Sequence, residues 1–154
     1  MTTYALSAQT YIERPAEDVW AYVADYANDP AWRRGVTRMV PTPPGPAREG
    51  TVTDELMRLA GGSYHNLGVV TALDPGRHFA WRTTQGADAH GSRTVTPAGT
   101  GATVRLELHV TLHGLRRLAA PLLRRNLLGD ADRLRAVLGG ARSGRARRAG
   151  APPA

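Results

Sequence analysis

Three neighbouring polar side chains and one isolated arginine are the groups in this chain best suited to move protons or hold negative charge. Tyr64 and His65 stand in the stretch GSYHNLGVV. A tyrosine facing a pocket can donate a proton or orient a carbonyl, and a histidine can act as a general base near neutral pH. Asn66 follows on the Tyr64 side of the same strand, while Leu67 shares the His65 side. Val69 and Val70 are both apolar, so the sequence leaves open which of the two faces is the inner one. Asp54 and Glu55 carry the same ambiguity. Arg93, in HGSRTVT, lies two residues before Val95; an inward Val95 places Arg93 on the inner face too. There its guanidinium would hold a carboxylate, phosphate or enolate oxygen. The competing reading has Arg93 near a strand end, extended into water.

Other chemistries are excluded or left without support. The chain has no cysteine, hence no disulfide, thiolate nucleophile or Cys-ligated metal. All 20 basic residues are arginines, which rules out a Schiff-base lysine and a Walker-type phosphate loop. No Gly-x-Ser-x-Gly elbow or dinucleotide loop occurs. His109 and His113 invite a metal reading, but both fall on the solvated face of their strand without a third ligand at suitable spacing. No metal and no cofactor is expected. His78 and His90 read as loop or edge residues.

The elements that must position these groups follow from hydrophobic periodicity. In ATVRLELHVTL, Val104, Leu106, Leu108, Val110 and Leu112 alternate with polar residues, as on a half-buried antiparallel strand. After His113-Gly114 the period lengthens. Leu115, Leu118, Leu122, Leu127, Leu134 and Leu138 recur as a helical stripe over a length of about 35 Å at 1.5 Å per residue. Pro121 inside that span predicts a kink. Asn126 sits beside the stripe, whereas Arg116, Arg117, Arg124 and Arg125 read as its solvent face.

Upstream, Tyr4 to Glu13 reads as a strand with Leu6, Ala8, Thr10 and Ile12 on one face. PAEDVWAYVADY reads as a helix started by Pro15, and Asn28-Asp29-Pro30 punctuates before a short turn carrying Trp32. Strands are expected at 35–40, 51–59, 63–73, 77–84 and 90–96, with a hairpin turn at Gly61-Gly62. Residues 41–50 read as a rigid exposed loop. The order is one strand, two short helices, six strands in meander order and a long helix, an antiparallel α+β domain.

A chain of 154 residues is most simply one such domain, over residues 1–138. The formal net charge of +7 divides unevenly: Arg142, Arg145, Arg147 and Arg148 account for four, leaving 7 − 4 = +3 for the rest. The segment 139–154 is expected to be a basic, disordered tail that solvates in water. No stretch reaches the length of a membrane span and no signal peptide is legible, so the expected location is the cytoplasm.

Several phrases in this order resemble the START/polyketide cyclase-dehydrase (SRPBCC) superfamily, whose helix-grip fold is that of the birch pollen allergen. They are IERPAEDVWAYVADY, NDPAW, VPTPPGPAREGT, VTALDPGRHFAWR, GTGATVRLELHV and LHGLRRLAAPLLRR, spanning residues 4 to 138. The resemblance implies a seven-stranded curved sheet wrapped around the C-terminal helix, with a cavity between them. Phe79 and Trp81, with Leu106 and Leu108, would then face the cavity or belong to the core that shares its face, and Leu122 and Asn126 would face it from the helix. Three functions are open: binding or transport of a small hydrophobic molecule (a lipid, isoprenoid, polyketide or aromatic metabolite); a polyketide cyclase- or aromatase-like enzyme using Tyr64, His65 or Arg93; and an interaction module with a filled cavity. The expected partner is a small hydrophobic molecule rather than a specific nucleic acid, and the chain is expected to be a monomer or homodimer.

Overall fold

The computed structural model describes residues 1–149, with side chains described through Gly139. Seven strands form one antiparallel sheet: β1 (Thr2–Ile12), β2 (Val36–Thr42), β3 (Val52–Leu59), β4 (Gly62–Asp74), β5 (His78–Gln85), β6 (Asp88–Ala98) and β7 (Gly101–Leu112). Their spatial order is β1-β7-β6-β5-β4-β3-β2, so every connection after β2 joins antiparallel neighbours and β7 returns to pair with β1. Helices α1 (Ala16–Val23) and α2 (Asp29–Trp32) bridge β1 to β2, and α3 (Ala120–Ala149) closes the chain. This is the helix-grip fold.

Period-two burial sets the inner face. Leu6, Ala8, Thr10 and Ile12 of β1 are buried and stand opposite Leu108, Leu106, Val104 and Ala102 of β7. The rows continue across the sheet: Leu106 pairs with Arg93, which pairs with Phe79, and Leu108 pairs with Gly91, which pairs with Trp81. Arg93 is therefore an inner-face residue in the row beside Val95. A Cβ at Gly91 would collide with the Glu107 carbonyl and come within 2.8 Å of the Trp81 ring, so only glycine lets the indole lie across that position.

The open register of β3 and β4 resolves in favour of Glu55 and Asn66, which pair and are both buried. Asp54 and His65 lie on the outer side, where the His65 ring meets the Asp54 carboxylate at 2.9 Å. Bulges between Leu67 and Gly68 and between Val70 and Ala72 shift the pairing with β5. The two adjacent valines lie on opposite faces, Val70 buried with Asn66 and Gly68 and Val69 half-buried on the outer side. The β3–β4 turn is Ala60-Gly61, one residue earlier than expected, and both have positive φ (51° and 80°). That geometry suits a tight hairpin turn.

The long helix departs from its expected limits. A 3-10 segment covers Gly114–Ala119, and the α-helix begins at Ala120. Pro121 thus occupies the first turn, where its missing N–H costs nothing, and the expected kink has no basis. Leu115 and Leu118 are correspondingly exposed, at 85% and 79%. They do not belong to the buried stripe, which Leu127, Ala131, Leu134 and Leu138 form against β1 and β7. The helical backbone runs past Leu138 to Ala149. The side chains beyond Gly139 and residues 150–154 lie outside the described residues; within the segment expected to be a disordered tail, the backbone of residues 139–149 is helical.

The core has two parts. One gathers Ala8, Ile12, Val19, Val23, Val95, Val104 and Leu134 between α1, α3 and the β1–β7 side of the sheet. The other joins Ala24, Tyr26, Val36, Met39, Val70 and Phe79. Ala47, in the segment expected to be fully exposed, is buried there, and its N–H donates to the Ala24 carbonyl at 2.7 Å.

Candidate functional site

The site begins with the short α1–α2 connection. Asp25 caps the turn by accepting the Ala27 N–H at 3.0 Å, and Asn28 donates its side-chain amide to the Tyr22 carbonyl. These local bonds, with Pro30 in the first turn of α2, aim Asp29 into the protein. Its side chain is fully buried.

Asp29 receives Arg93 in a two-point fork, Nη1 to Oδ1 at 2.9 Å and Nη2 to Oδ2 at 2.6 Å. Arg93 also donates to the Val23 carbonyl at 3.0 Å. Three rings surround its guanidinium, with Tyr26, Trp32 and Phe79 centroids at 4.7, 5.0 and 5.5 Å. Such packing replaces part of the hydration that a buried cation loses.

The network continues toward the other side of the sheet. Arg33 donates to Asp29 at 3.1 Å and to Glu55 at 2.7 Å. Asn66 donates to the other Glu55 oxygen at 3.1 Å, and its own carbonyl accepts the Ala87 N–H at 3.0 Å. Two guanidiniums thus balance two carboxylates. From α3, Asp130 accepts the Arg34 N–H at 2.8 Å, joining the helix to the segment after α2.

Burial and pairing pull the ionisations in different directions. Burial pushes the Glu55 carboxyl up, but attraction to Arg33 and hydrogen bonds from Asn66 and Arg33 outweigh it and hold Glu55 below the usual glutamate range. Asp130 moves upward, because burial exceeds the help from the Arg34 N–H and the nearby guanidiniums. Burial also raises the Tyr26 phenol, so that it stays neutral.

Next to this network is a cavity of about 160 Å³ between the sheet and α3. Met39, Met57, Trp81, Leu106 and Leu108 contribute apolar wall, and Leu123, Asn126, Leu127 and Asp130 line it from one stripe of α3. Glu55 and Asn66 add polar wall already committed to each other. The Trp32 indole also lines it, and its buried Nε1–H meets no acceptor among the described residues.

Of the residues singled out from the sequence, Asn66, Trp81, Arg93, Leu106, Leu108 and Asn126 line this cavity. Phe79 is fully buried edge-on against Trp20 and Tyr26. Leu122 lines a separate groove on the other side of Asn126. Tyr64 is 43% exposed and His65 faces outward, so neither is brought to the cavity with Arg93. Arg93 does not reach water at a strand end; it is 4% exposed. Asp29, Arg33 and Trp32 were not anticipated as site residues. The available signal was Arg93 itself, since an inward arginine requires a buried counter-charge.

The profile of the family described as polyketide cyclase/dehydrase and lipid transport matches residues 4–139. The chain belongs to that family. Among solved structures, TTHA0849 from Thermus thermophilus is 21% identical, covering 90% of this chain and 99% of its own, with a TM-score of 0.76. The Zhui aromatase/cyclase from Streptomyces sp. R1128 is 17% identical, covering 98% and 100%, with a TM-score of 0.77. A START superfamily protein from Mycobacterium smegmatis is 14% identical over 89% and 98%, with a TM-score of 0.72. At these identities the likeness concerns the fold. No curated protein sequence matches the chain.

Proposed function

We propose that this protein binds a small, mainly apolar molecule in the cavity between its sheet and α3. The observation that carries this reading is the state of the buried charges beside the cavity. Arg93 and Asp29 satisfy each other, and Glu55 is held by Arg33 and Asn66. The ionic groups therefore act as structure, and the remaining wall is apolar with a few oriented polar groups, the usual make-up of a small-molecule site. A cyclase reading has less support, because Tyr64 and His65 lie away from the cavity that holds the arginine.

The test is native mass spectrometry of the purified protein, followed by denaturing extraction, with titration of the neutral dye Nile red in parallel. A co-purified compound with an apolar body, or saturable one-to-one dye binding that Leu108→Trp abolishes, is the expected result. A protein that carries nothing and binds no dye overturns the reading.

A further inference from the structure

A second hollow adjoins the cavity. It is a groove of about 400 Å³ lined by Arg34, Gly35, Arg58, Leu122, Arg125 and Asn126, together with the Leu59-Ala60 turn. Asn126 lines both hollows, and the chain steps from one to the other at two further places: Arg33 to Arg34 after α2, and Met57 to Arg58 at the end of β3. The Arg58 N–H bonds to the Gly35 carbonyl at 2.7 Å, which ties these two walls together.

The groove differs from the cavity in charge. Three arginines line it and no carboxylate does. Arg14, Arg77 and Arg105 each meet an acid nearby, while other exposed arginines such as Arg38, Arg48, Arg82 and Arg124 make no ion pair with a described residue. What sets the groove apart is that three arginines line one concave surface. Arg34, Arg58 and Arg125 are exposed and make no ion pair with any described residue. Like charges converging on one concave surface repel unless an anion joins them, and guanidiniums suit the planar oxygens of carboxylate and the oxygens of phosphate.

We propose that the groove is an anion site for the head of an amphiphilic ligand whose apolar body occupies the cavity. It rests on the binding function proposed above and adds a head group to it. The ligand class is then a compact hydrocarbon or aromatic body with a carboxylate or phosphate at one end.

The test uses three probes with one body: 1-octanol, octanoate and octyl phosphate, each displacing Nile red at low salt. Octanol reads the cavity alone, and the difference between octanol and either anion reads the groove. At least one anion is expected to bind about tenfold tighter than octanol, with the advantage shrinking as salt rises. In the triple variant Arg34→Gln/Arg58→Gln/Arg125→Gln that advantage disappears while octanol binding is unchanged. The charge-matched control Arg116→Gln/Arg117→Gln/Arg124→Gln retains it. Which anion gains identifies the head group. Equal binding of octanol and both anions, or an advantage that survives the groove variant, overturns the anion site and leaves the cavity reading intact. Failure of octanol itself to displace the dye overturns the cavity reading and the amphiphile with it.

Discussion

Arg93 of β6 and Asp29 at the start of α2 form a two-point ion pair, 2.9 and 2.6 Å, although 64 residues separate them in the chain. The pair pins the helical connection onto the inner face of the sheet. Removing one partner leaves an uncompensated buried charge, which costs about 3–5 kcal/mol. Asp29→Ala and Arg93→Ala are each expected to fall in that range by urea denaturation. The double variant Asp29→Leu/Arg93→Met should recover much of the loss. Single variants within about 1 kcal/mol of wild type would show that the pair carries little of the fold.

Acid stability follows from Glu55. Its folded carboxyl titrates below the ordinary glutamate value, so it contributes stability that is fully present above that value. The contribution is lost as pH falls through the lower, folded value. In Glu55→Gln the fall of unfolding free energy in this acid window should be shallower than in wild type. Identical slopes in the two proteins would remove Glu55 from the account.

Asp130 predicts the opposite sign. Burial raises its carboxyl, so the folded state binds the proton more tightly and the ionised form is a cost at neutral pH. Asp130→Asn keeps an oxygen for the Arg34 N–H and should be more stable than wild type at pH 7. The gain should vanish as pH drops below the usual aspartate range. Thermal melts at pH 7 and pH 3 compare the two directly.

Cavity and core respond differently to substitution. Leu108 lines the cavity, so Leu108→Trp fills it at a cost of about 1–3 kcal/mol and should eliminate ligand or dye binding. Leu134 is fully buried on the core side of α3, so Leu134→Ala should cost about 2–5 kcal/mol while binding persists in the folded fraction. Paired denaturation and dye titration distinguish the two.

Tyr64→Phe serves as a comparison. Its side chain is 43% exposed and outside the cavity, so both stability, within about 0.5 kcal/mol, and ligand binding should match wild type. A clear loss of binding would mean that the ligand reaches beyond β4.

Much of the architecture was legible in the amino-acid sequence because it rests on local repetition. Alternation along β1 and β7 marks their inner faces through Leu6, Ala8, Leu106 and Leu108, whereas Arg93 had two readings, inward with Val95 or extended to water at a strand end, and its burial decides between them. The lengthened period through Leu127, Leu134 and Leu138 marks a helix that must cover that surface. The same local rules misread Leu115 and Leu118, because a 3-10 segment turns different residues to solvent than an α-helix does. The inner face of β3 and β4 was not legible because apolar residues stand on both faces of β4. Val70 is buried with Asn66 and Gly68, while Leu67 and Val69 are half-buried on the other face, so alternation carries little contrast there. Above all, Asp29 looked like punctuation in an Asn-Asp-Pro turn. Its partner lies on a strand 64 residues away, and an ion pair across that distance exists only once the sheet has curled and the helical connection has packed against it. Periodicity determines which side of an element is buried; only tertiary packing decides which charge a buried arginine meets and what space is left beside it.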